Sequence, residues 1–96
     1  MSATDLRGTS VCHLRPGWRL QWEEHQQRHV LLYPEGMVQL NASAGAILGQ
    51  LDGRRDVDAV IRALEADYPE APAGAIAVDV HAFLIEAVQQ GWIHHD

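Results

Sequence analysis

The spacing of apolar residues changes once along this chain, at Asn41, and that change constrains the fold more than any other feature. Before it, the period is two. Trp18, Leu20 and Trp22 alternate with Arg19, Gln21 and Glu23, as in a half-buried strand. In "HVLLY" (29–33), Val30 and Leu32 face one way and Leu31 and Tyr33 the other, which suits the middle strand of a small sheet. "PEG" (34–36) then reads as a type I turn, with Pro34 presetting φ and Gly36 taking the left-handed position of a bulge. "MVQL" (37–40) returns as a third strand, with Val38 and Leu40 on one face and Met37 and Gln39 on the other.

After Asn41 the period is 3.6. Asn41 is a natural N-cap for a helix striped by Ala44, Ile47, Leu48 and Leu51, and Asp52-Gly53 closes that helix. Asp56 caps a second helix, with stripe Val57, Val60, Ile61, Leu64 and Tyr68. A third runs from about Ile76 to Gln90 and ends at Gly91, and Trp92-Ile93 folds back as a short apolar tail. The expected fold is α+β: a three-stranded antiparallel β-meander followed by three α-helices. Residues 1–12 show no period and read as a flexible tail, and 13–96 as one domain.

The third helix is apolar over an unusually wide arc. Val80, Phe83, Leu84, Ala87 and Val88 span about 140° at 100° per residue, more than one packing neighbour needs. Either the helix is covered from two sides, or one margin of the stripe lines an open groove.

Charge and composition exclude several functions. The net charge is −6, there is no lysine, and all seven arginines lie at or before Arg62. A DNA-binding regulator of the winged-helix class is the main rival reading. It would need cations on its recognition helix, and here that helix carries Asp79 and Glu86 instead. The six histidines share no ligand spacing, and His94-His95-Asp96 reads as a solvated chain end. Cys12 is the single cysteine, so no disulfide can close within the chain. With no apolar signal region and no run near the roughly 20 residues a membrane span needs, the expectation is a cytoplasmic protein.

Several blocks resemble the PqqD family of pyrroloquinoline quinone (PQQ) biosynthesis: "RLQWEE" (19–24), "HVLLYPEGMVQLN" (29–41), "AIL" (46–48), "DG" (52–53), "DVHAFL" (79–84) and "GWI" (91–93). They keep the family's order and spacing over residues 15–93, and "LLYPEG" followed closely by "LN" is the most specific piece. The resemblance implies a domain like a winged helix-turn-helix that recognises peptides, is no enzyme and needs no cofactor or metal. It would bind the precursor peptide PqqA and present it to the radical S-adenosylmethionine enzyme PqqE. Related domains take a leader peptide as an extra strand in a groove beside the third helix. By position, the peptide-contact residues would be Met37, Val38, Gln39, Leu40 and Asn41 on the strand, with Val80, Phe83, Leu84 and Ala87 on the helix. The third strand carries neither charge nor proline to deter pairing, so a guest peptide or a second copy of the chain (a homodimer) could use its edge.

Overall fold

The computed structural model describes residues 5–96. Its elements are β1 (Cys12–Leu14), β2 (Arg19–Glu23), β3 (Arg28–Tyr33), β4 (Gly36–Gln39), α1 (Ala42–Gly49), α2 (Val57–Asp67), α3 (Ala75–Gln90) and β5 (Ile93–His95). The α+β class and the meander followed by three helices are as the sequence predicts. The meander has the order β2-β3-β4, and a second, two-stranded sheet pairs β1 with β5.

Each strand of the meander follows from its alternation. Leu20 opposes Leu31, and Leu31 opposes Val38, so these three share the inner face with Leu40. Leu31 and Leu40 are buried in the common core. Val30, on the outer face of the middle strand, is also buried, flanked by Gln21 and Gln39 across the two ladders. At one end Trp18 stacks on Tyr33, with ring centroids 4.6 Å apart.

The turn between β3 and β4 differs from the expected bulge. Tyr33 pairs directly with Gly36, and neither Pro34, Glu35 nor Gly36 has a positive φ. A Cβ at position 36 would lie 3.2 Å from the Tyr33 hydroxyl, so the ring lies over a bare backbone and a larger residue there would need the ring to shift slightly. The left-handed residue of the meander is Gln27 instead, at φ 55° in the β2–β3 turn.

The helices are capped much as their sequences suggest. The Asn41 side chain accepts the Ala44 amide at 2.8 Å, and Asp56 accepts that of Ala59 at 2.8 Å. Gly91 closes α3 in the left-handed conformation, at φ 81°. Helix α1 stops at Gly49, with Gln50 as its cap, earlier than Asp52-Gly53 would place its end. Asp52 turns the following loop by accepting the amides of Arg54 and Arg55. Gly45 lets α1 approach the sheet, since a Cβ there would meet the His29 ring at 2.7 Å.

The expected flexible tail must be shortened. Residues 1–4 lie outside those described, but Gly8 and Ser10 accept the amides of Asp58 and Val57 through their carbonyls. Cys12 is buried in the core as the first residue of β1. The domain therefore begins before residue 13. The chain end is likewise part of the fold: His94 and His95 belong to β5, and the Asp96 carboxylate accepts the Val11 amide.

Candidate functional site

Alternation fixes which backbone groups of β4 are free. In an antiparallel ladder, successive residues of one strand turn their N–H and C=O alternately toward the neighbour and away from it. The Leu40 amide donates to the His29 carbonyl at 3.3 Å, so Leu40 faces β3. The register Leu31–Val38 makes Val38 face β3 as well. Met37 and Gln39 therefore direct both backbone groups outward, away from the sheet. Asn41 adds only its N–H, because its carbonyl accepts the Gly45 amide of α1. Among the described residues no strand pairs with that edge.

The other edge of the meander, β2, is defended. It carries Arg19 and Glu23, with Glu24 following. Between Gly36 and Asn41 there is no charged residue, and Met37 is 57% exposed. The two edges differ in composition as well as position.

Where β4 runs into α1, an apolar cleft of about 320 Å³ opens between the start of α1, the end of α2 and the start of α3. Ala42, Ala46 and Ile47 form one wall, Leu64 and Tyr68 another, and Ile76 and Val80 a third. Its charged members are Glu70 and Asp79, both acidic. A wider depression of about 1000 Å³, flanked by Trp22 and Tyr68, adjoins it across Ala42 and Ala46.

The nine sequence-predicted contact residues separate on burial. Met37, Gln39 and Asn41 are exposed, Val38 is half-buried, and Leu40 belongs to the core. On α3, Val80, Leu84 and Ala87 are at most 1% exposed and pack inside the domain, so they offer a guest almost no surface. Leu84 and Ala87 are core residues of this structure, whereas Val80 also lines the cleft. The reason is geometric: α3 packs against both α2 and β5, which uses the middle of its wide stripe. Phe83 is half-buried, one turn beyond Asp79 on the same helix face, with its ring 6.3 Å from that of Trp92. The exposed strand residues and the cleft thus meet at Asn41–Ser43, while Phe83 lies outside the cleft. Sequence reasoning missed Ala42, Ala46 and Tyr68. Two alanines one helical turn apart are the only local sign of such a cleft.

Among the described residues no group of three or more His, Cys, Asp or Glu side chains is placed to hold a metal ion. Burial, helped by the nearby Asp96 carboxylate, pushes the Cys12 thiol up to about 11, so it stays protonated and unreactive near neutral pH. No helix of the described residues is long and apolar enough to cross a membrane.

The sequence profile of Coenzyme PQQ synthesis protein D (PqqD) matches residues 28–93. The chain belongs to the PqqD family. Among its relatives, the PqqA binding protein of Klebsiella pneumoniae (strain 342) is 52% identical over 88 residues, covering 92% of this chain and 94% of that protein. The PqqA binding protein of Azotobacter vinelandii is 50% identical over 93 residues, covering 97% of each. That of Pseudomonas aeruginosa (strain UCBPP-PA14) is 56% identical over 84 residues, 88% of this chain and 89% of that protein. The fold is similar to the solution NMR structure of the PqqD truncation of Methylobacterium extorquens PqqCD, described as a functional, stand-alone recognition element for ribosomally synthesized and post-translationally modified peptides. The two superpose with a TM-score of 0.80 at 32% identity, over 98% of this chain and 99% of that one.

Proposed function

We propose that this PqqD-family protein captures the precursor peptide PqqA as an added strand on the outer edge of β4, seats an apolar side chain of the guest in the cleft beside α1, and holds the peptide for the radical S-adenosylmethionine enzyme PqqE without chemistry of its own. The unpaired edge at Met37 and Gln39, running directly into the apolar cleft, carries this reading. The names of the relatives support the choice of guest.

Magnitudes require both parts of the site. Four backbone bonds at Met37 and Gln39, at about 0.5–1.5 kcal/mol each, total roughly 2–6 kcal/mol. Micromolar affinity needs about 8 kcal/mol after the ordering of the guest is met. Burying one aliphatic side chain in the cleft adds about 1.5–3 kcal/mol. A second copy pairing through the same edge would compete with the peptide rather than assist it.

The test is a titration of the isotope-labelled protein with the precursor peptide. Amide shifts are expected at residues 37–41, and at Ser43, Ile76 and Asp79 around the cleft. Shifts confined to β1, β5 or the β2 edge would overturn the reading.

A further inference from the structure

The pairing of the first and last strands brings two histidines together in a way the sequence does not announce. His13 and His94 stand directly opposite each other in the β1–β5 ladder, with ring centroids 5.1 Å apart and planes within 18° of parallel. The neighbouring pairs, Cys12–His95 and Leu14–Ile93, turn toward the opposite side, where Cys12 and Ile93 are buried. The histidine pair therefore lies on the outer face, with His94 exposed and His13 half-buried beside the turn at Gly53. Among the described residues, neither ring enters a hydrogen bond or an ion pair.

We propose that His13 and His94 form a two-imidazole site for a late first-row divalent cation such as zinc, nickel or copper, the metals that imidazole nitrogen suits. Metal–nitrogen bonds of about 2.0–2.1 Å need the two donor atoms about 3 Å apart. Coordination requires the near-parallel rings to turn about the soft terminal torsion of each side chain until their in-plane lone pairs converge on one point. Among the described residues no third protein ligand is placed to help, so water would complete the shell. The Asp96 carboxylate, just beyond β5, adds negative charge to this end of the sheet while accepting the Val11 amide at 3.0 Å. A bound metal would cross-link the two ends of the domain, on a sheet separate from the β4 edge.

The full chain, free of any tag, is titrated with zinc chloride while histidine ring protons and the melting temperature are followed. One equivalent should shift the His13 and His94 signals together and raise the melting temperature. His13→Asn and His94→Asn should each weaken the midpoint at least tenfold, whereas H25N, in the exposed β2–β3 turn, should leave it unchanged. Losing the ring stack lowers stability by itself, so each variant is compared with its own metal-free baseline. Absence of a saturable shift, or a shift that survives either strand substitution, would overturn the proposal.

Discussion

Two adjacent proline substitutions on β4 should have opposite consequences. The Val38 amide faces β3 by the ladder alternation, opposite Leu31, whereas the Gln39 amide faces outward. Val38→Pro removes a sheet bond and leaves the Leu31 carbonyl, in a buried residue, without its donor. The unmet acceptor alone costs about 1–3 kcal/mol, and the lost bond and ring clash add to it. A loss of roughly 3 kcal/mol or more is expected, a large share of the stability of a small domain. Gln39→Pro removes a donor that has no partner in the fold, and an edge strand tolerates proline there. Its cost appears on binding: one guest bond lost and the guest backbone held off, about 1–3 kcal/mol, or roughly 5- to 150-fold in Kd. Gln39→Ala controls for the side chain, which accepts a bond from Arg28 at 3.4 Å. Urea unfolding gives the first quantity and isothermal titration with the precursor peptide the second. The reasoning is refuted if Val38→Pro folds normally and loses affinity while Gln39→Pro binds as the parent does.

Leu84→Ala should destabilise the fold by about 2–5 kcal/mol by emptying a fully buried position, with peptide affinity per folded molecule unchanged in calorimetry. Gln27→Gly should raise the melting temperature, because a left-handed backbone costs a non-glycine residue about 1 kcal/mol; the exposed bond from its side chain to the Glu24 carbonyl offsets part of that gain. Cys12 should resist alkylation at pH 8 until the protein is unfolded. Because its folded pKa, about 11, lies above the ordinary 9.0, the thiol contributes stability that is complete below pH 9 and lost as pH rises toward 11, as denaturant midpoints across that range would show.

The helical half of the fold was legible because its signals are local. Asn41, Asp56 and Gly91 act as caps where they stand, and a 3.6-residue period is visible within a single helix. The meander was legible for the same reason, since each strand meets its partner within a few residues. The β1–β5 pair was not: three residues at each end, some eighty positions apart, are too short for any alternation to show. That pairing turned an expected tail into part of the core and brought His13 to His94. On the site, composition pointed to β4, but only the register showed that Met37 and Gln39, rather than Val38 and Leu40, hold the free groups. The wide stripe of α3 indicated burial without indicating by what. Leu84 and Ala87 are buried in the common core, and the apolar surface beside β4 comes instead from α1, the end of α2 and the first turns of α3.

Amide hydrogen exchange along β4, with and without the precursor peptide, bears most directly on the proposed edge. In the free protein the Val38 and Leu40 amides should exchange slowly and those of Met37 and Gln39 fast. Adding peptide should slow Met37 and Gln39 in proportion to occupancy and leave β1 and β5 unchanged. If Met37 and Gln39 are already protected without peptide, or stay unprotected when it is saturating, the guest strand does not form there.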